Sequence, residues 1–219
     1  MNFIEQQRPV TEALRRSIVE DLPEIAQISD HTLREKTIDA WAYSLTRSNF
    51  HRIIDLPAEG NPGQSALIRG TQADHLRGVV HLSVKFVDEF ETSHPEVRVD
   101  HDIVLVGAIC HDVGKPYEFD PRNTARWARD PSASGQPTLR HSVYGAHVCL
   151  AVGLPEEIAH IALGHSFEGQ YIGLSTECVI VRQADHVWWQ LAGALGLLRP
   201  DTLAHLGPTM RPRRPLAAE

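Results

Sequence analysis

The stretch that most restricts the fold is VLVGAICHDVGKPYEF, residues 104–119, an apolar run that ends on two adjacent ionisable groups, His111 and Asp112. A carboxylate beside an imidazole at a buried helix end is costly to desolvate unless something neutralises it, and a divalent cation is the most economical partner. Asp112 can bridge two ions through its two oxygens while His111 binds one of them. One helix end cannot complete such a site, because these metals take about four to six ligands. The remaining ligands have to arrive from other helices.

Helices are what the rest of the chain offers. Apolar residues recur at helical spacing through most of its 219 residues, with no run of β-branched alternation between hairpin turns, so the expected fold class is all-α. Length and a 42% hydrophobic content suit one compact domain. Asp30 reads as the N-cap of a helix in which Leu33, Ile38, Trp41 and Leu45 share a face. Residues 55–70 break the pattern with prolines and glycines and read as a loop or lid. From Thr71 onward His75 falls on one face with Val79, Leu82 and Phe86, so it points inward.

Asp100 can cap the helix that carries His111 and Asp112 in its last turn, with Gly114 and Pro116 ending it. Residues 120–137 read as a polar, proline-rich excursion. Two helices separated by Gly153-Leu154-Pro155 follow as a hairpin, with Pro155 at a first helical position. Ser175 or Thr176 starts a last long helix with Asp185 in its middle. Residues 199–219 read as a tail, disordered beyond Pro208. The boundaries expected are therefore N-terminal helices and a loop over 1–70, a metal-binding helical core over 71–198, and that tail.

The 13 histidines exceed the usual share for this length, so their placement decides what they do. Inward-facing candidates are His75, His111, His141 and His165, joined by the carboxylates Asp112 and Asp185. ADHLRGVV, GAICHDVGKPYEF, RHSVYGAHV, IALGHSF and RQADHVWW together resemble the motifs of the HD-domain superfamily of metal-dependent phosphohydrolases, over residues 70–195. The resemblance implies an HD-type helical bundle with extra N-terminal helices. It also implies one or two divalent transition metals (Fe, Mn, Zn, Co or Ni). His75, His111, Asp112 and Asp185 would hold the first metal. His141 and His165 would hold the second, with Asp112 bridging in a binuclear centre. Relatives with two metals often carry adjacent histidines where this chain reads GHSF, which leaves His160 as the alternative to His165.

Such a centre lowers the pKa of a bound water toward neutrality and supplies a hydroxide for attack on phosphorus. Asp112 and Lys115 are then the catalytic candidates, with Lys115 either stabilising charge on the phosphate or capping the preceding helix's carbonyls. Arg47, Arg52 and Arg69 could hold a substrate anion, with solvated surface the default for each. Trp188 and Trp189 read as packing residues that could also wall a pocket. His81, His94, His101, His147, His186 and His205 read as ordinary surface or core residues.

The implied activity is hydrolysis of a small phosphate ester, diester or nucleotide. The same ligand set resembles HD-fold di-iron oxygenases that cleave C–C or C–P bonds with O₂, and a non-catalytic HD-fold binding module is the third class. A net charge of −7 provides no positive field for nucleic-acid polymer or membrane, so a small anionic molecule is the expected partner. Three scattered cysteines inside apolar patterns, and no apolar leader or stretch of about eighteen apolar residues, point to a cytoplasmic address.

Overall fold

The structure, a computed structural model, describes residues 7–205. Among them are α-helices, short 3-10 turns and three isolated β-bridges, and no strand. Helix α1, Glu12–Asp21, starts at Thr11, whose hydroxyl accepts the Leu14 N–H at 3.1 Å. Helix α2, His31–Thr46, starts at Asp30, whose carboxylate accepts the Leu33 N–H at 2.8 Å. Ile38, Trp41 and Leu45 of α2 are buried and Leu33 is half-buried against the core. Helix α3, Gln72–Ser93, opens on a capping box in which Asp74 accepts the Thr71 N–H at 2.7 Å. His75 on α3 is fully buried with Leu76 and Val79, while Leu82 and Phe86 are half-buried at the core's edge.

Helix α4, His101–Cys110, is capped by Asp100. It ends one residue before His111, so His111 and Asp112 sit in the following turn rather than in the last turn of the helix. The cause is a pair of tight turns: Val113 N–H bonds the Cys110 carbonyl at 3.0 Å and Lys115 N–H bonds the Asp112 carbonyl at 2.9 Å. Pro116 does not stop the chain there. It occupies the first turn of α5, Lys115–Glu118, where a missing N–H costs nothing.

The expected excursion at 120–137 is instead helical. Asp120 caps α6, Pro121–Arg129, with Pro121 at its first position, and Asp130 caps the single turn α7, Pro131–Ser134. The apolar anchor in this polar stretch is Trp127, 1% exposed. Burying one such ring is worth about 2–3 kcal/mol, enough to fold a charged segment back onto the core. Helices α8, His141–Ala151, and α9, Glu156–Gly164, form the hairpin, with Pro155 one position ahead of the first helical residue rather than in it. Helix α10, Thr176–Ala194, is capped by Ser175.

Helices α3, α4, α9 and α10 pack on one another, α8 pairs with α9, and α2 lies across α4 and α8. One hydrophobic cluster runs from Ile18 to Ala184, with Cys110, Cys149 and Cys178 buried in it as free thiols. Helix α2 also fixes the 111–114 turn directly. Trp41 donates its indole N–H to the Ile109 carbonyl at 3.2 Å, and Ser44 donates to the Val113 carbonyl at 2.6 Å.

The boundary expected at 199 does not hold for the residues that follow it. Arg199 N–H bonds the Ala66 carbonyl at 2.8 Å, and Thr202 accepts the N–H groups of Ser65 and Ala66 at 3.0 and 2.9 Å. Residues 199–205 thus clasp the 55–70 loop, because that loop has backbone donors that no sheet or helix satisfies. The remainder of the expected tail, with Pro208, lies outside the described residues. No helix among those described is long and apolar enough to cross a membrane.

Candidate metal centre

The turn after α4 presents Asp112 to four imidazoles from four helical segments. Its Oδ2 lies 3.4 Å from His75 Nε2 and 3.3 Å from His111 Nε2. Its Oδ1 lies 3.4 Å from His141 Nε2 and 3.6 Å from His165 Nε2. Asp185, from the middle of α10, brings Oδ1 to 3.2 Å from His75 Nε2. The ligand atoms of His75, His111 and Asp185, and separately those of His111, Asp112 and His165, lie within 4.8 Å of one another. All six residues are at most 9% exposed. The structure therefore brings together His75, His111, Asp112, His141, His165 and Asp185.

Hydrogen bonding on the far side of three of the four rings decides which nitrogen faces the cluster. His111 Nδ1–H donates to the Ala108 carbonyl at 2.7 Å and His165 Nδ1–H to the Ala162 carbonyl at 2.9 Å. A carbonyl can only accept, so Nδ1 carries the proton and each neutral ring turns an Nε2 lone pair inward. His141 Nδ1–H donates to Glu118, which also accepts the His141 backbone N–H at 3.1 Å. Three lone pairs thus face the Asp112 carboxylate, a repulsive arrangement that an added cation relieves. Asp185 Oδ1 agrees with this: it is buried, and its approach to His75 is too poorly aligned to give it a hydrogen bond. The donor set and its orientation fit a divalent ion bound by imidazole and carboxylate.

Electrostatics follow the same geometry. Burial pushes the Asp112 carboxyl up, but the Lys115 ammonium outweighs it and holds the group well below the usual range. Burial likewise works against ionised Asp185, and His75 beside it pulls its pKa well below the usual range. Glu118 is buried, yet His141 and Arg140 keep its pKa below the ordinary value. Burial lowers His141 in spite of Glu118, so the pair is a neutral imidazole on a carboxylate.

Lys115 does not cap α4. Its Nζ bonds Asp112 Oδ2 at 2.9 Å, Gln72 Oε1 at 3.3 Å and the Glu59 carbonyl of the 55–70 loop. Two of its three donors are thus hydrogen-bonded to protein, and the buried Nζ pairs with Asp112 by charge. It neutralises Asp112 and tethers the loop. Arg69 is exposed and lies outside the cavity beside the cluster; Arg47 covers the Tyr43 ring and Arg52 pairs with Asp21, so none of the three arginines reaches the site. His160 accepts the Ser175 N–H at 3.1 Å and stands apart from the cluster, whereas His165 lies within it.

That cavity, about 410 Å³, is walled by Gly60, Asn61, Gln64 and Ser65 of the loop on one side and by α10 on the other. Trp189 does two things: it stacks on His75, ring centroids 4.7 Å apart, and lines the cavity. Trp188 meets the edge of the same ring at 4.6 Å. His186 also lines the cavity, against its reading as an ordinary residue, whereas His81 and His101 pair with Glu24 and Glu91, and His147 meets Tyr43.

Sequence reasoning missed Gln72, Glu118, Arg140 and Arg182. Gln72 donates to Asp112 Oδ2 at 2.7 Å, and its position three residues before His75, on the same helical face, was the available signal. Glu118, three residues after Lys115, has the same kind of signal. Arg140 joins Glu118 at 2.8 Å to Asn61 at 2.7 Å, a contact between distant segments with no local trace in the sequence.

A family model described as HD domain matches residues 73–188. No curated protein and no solved structure matches the chain. With its ligand-bearing segments spread across that matched region and more than half its length included, the chain belongs to the HD-domain family.

Proposed function

We propose that this protein is a metal-dependent hydrolase of a small phosphate ester or diester. The observation that carries the reading is the division of Asp112, one oxygen toward His75 and His111, the other toward His141 and His165. That arrangement suits two ion positions: His75, His111, Asp112 and Asp185 for one, His141, His165 and Asp112 for the other. Divalent ions held there would supply Lewis-acid polarisation of a phosphoryl oxygen and an acidified water.

The chain's own residues do the rest. Glu118 and the Ala108 and Ala162 carbonyls fix which imidazole nitrogens face inward, so the ligands are oriented before binding. Lys115 and Gln72 hold the Asp112 carboxylate in place from the side away from the imidazoles on Oδ1. Among the charged side chains lining the cavity, Asp112 and Asp185 offset Lys115 and Arg182, so any bound dication leaves the cavity net positive. An anionic substrate is favoured for that reason, and a cavity of about 410 Å³ limits it to a small molecule rather than a polymer.

The test is elemental analysis of purified protein, followed by assay of the metal-loaded form on p-nitrophenyl phosphate, bis(p-nitrophenyl) phosphate and a nucleotide panel. Metal-dependent release of phosphate or alcohol is the expected result. Two irons per chain with oxygen uptake and no ester hydrolysis would replace the reading with an oxygenase, which uses the same ligands.

A further inference from the structure

We infer that Arg182 is an anion-binding residue of the substrate cavity, and that the substrate carries a second negative group beside the one that reacts. The inference rests on the phosphohydrolase reading and specifies its substrate class. Arg182, His186 and Gln190 line the cavity at steps of four along α10, so they form one stripe on the same face of the helix. Arg182 lies one turn before Asp185, about 4.5 Å along the axis, and its guanidinium reaches the carbonyl of Gly164, the neighbour of His165.

The side chain is seated rather than loose. Nη1 donates to the Gly164 carbonyl, the end of α9, at 3.1 Å. The 164–169 turn is shaped around it, for a Cβ on Gly169 would stand 2.0 Å from the Gly164 oxygen and 2.4 Å from Arg182 Nη1. Only a glycine lets the turn close on the guanidinium. Among the described residues Arg182 has no carboxylate partner, in contrast to Arg140 with Glu118 and Glu168 and Arg52 with Asp21. Four of its five N–H donors therefore remain for a ligand, in a fork that matches a carboxylate or a phosphate.

The other cation on the cavity wall, Lys115, is spent on Asp112. A reacting phosphoryl group belongs beside Asp112 and the imidazoles, so Arg182 is left to read a charge elsewhere on the molecule. Carboxylate and phosphate share the required chemistry and are separated by the ligands chosen for the test.

The experiment is calorimetric titration of manganese-loaded protein with three compounds of matched length: propylphosphonate, 3-phosphonopropionate and ethane-1,2-diphosphonate. The unaltered protein should bind at least one of the two-headed anions about tenfold more tightly than propylphosphonate, the gain expected of a charge-assisted pair. The more favoured head identifies the source. Arg182→Gln should erase the advantage, and Arg182→Lys should keep part of it. Binding of propylphosphonate with no preference for a second anion in the unaltered protein overturns the inference while leaving the phosphate reading intact, and it does so whether or not the variants fold. A preference that survives in Arg182→Gln also overturns it. Failure of all three to bind overturns both.

Discussion

Glu118 takes both the backbone N–H and the ring Nδ1–H of His141, so one buried carboxylate starts α8 and turns His141 Nε2 toward Asp112. Glu118→Gln can still accept both hydrogen bonds, which share one oxygen, but loses the charge that favours Nδ1–H. Metal affinity at the His141 and His165 position should fall about 10–100-fold, as outer ligand partners typically allow. Competition for metal against a chromogenic chelator measures it, and an unchanged affinity contradicts the role.

The same pair links stability to pH. Folding depresses the Glu118 pKa, so its contribution is fully present above the unfolded value, near 4.5, and is lost as pH falls through the lower folded value. The stability gap between native protein and Glu118→Gln, measured by urea unfolding, should be steady from pH 7 to about 5 and shrink below about 4.5. A gap that widens on acidification would reverse the sign.

Gly114 marks where the Asp112 turn meets the start of α8. A Cβ there would come within 2.0 Å of the His141 carbonyl oxygen and 2.6 Å of the Gly145 nitrogen, both backbone atoms that cannot rotate away. Gly114→Ala should cost about 3 kcal/mol or more and loosen metal binding, since the clash displaces His141 itself. Thermal unfolding with and without metal checks both effects.

The sequence exposed the parts of this site that obey local periodicity. His75 was placed inward by its spacing from Val79, and Asp30 and Asp100 as caps by their position before apolar runs. What stayed hidden depends on distant segments meeting. Arg122, Arg126 and Arg129 at steps of four and three, behind Asp120-Pro121, mark a helix over 121–129, but nothing local says what the single ring of Trp127 packs against. The engagement of Lys115 with the Glu59 carbonyl could not be read either, because a loop backbone carries no identity. Arg69 looked useful from its place just ahead of the metal helix, and only the exposed path of that loop removes it.

Thr202 holds the loop wall from the C-terminal side by accepting the Ala66 N–H. Thr202→Val leaves that donor unpaired and should cost about 1–2 kcal/mol. Limited proteolysis should then cut faster within residues 57–70, and an unchanged cleavage rate would mean that the clasp does not position the wall.

Anomalous diffraction from crystals of the metal-loaded protein, collected on both sides of the metal's absorption edge, tests the central claim most directly. A peak within bonding reach of Asp112 Oδ2, His75, His111 and Asp185 is predicted, with a second beside Asp112 Oδ1, His141 and His165 when both positions fill. Stoichiometric metal bound elsewhere, or none at Asp112 in protein shown to be folded, would contradict it.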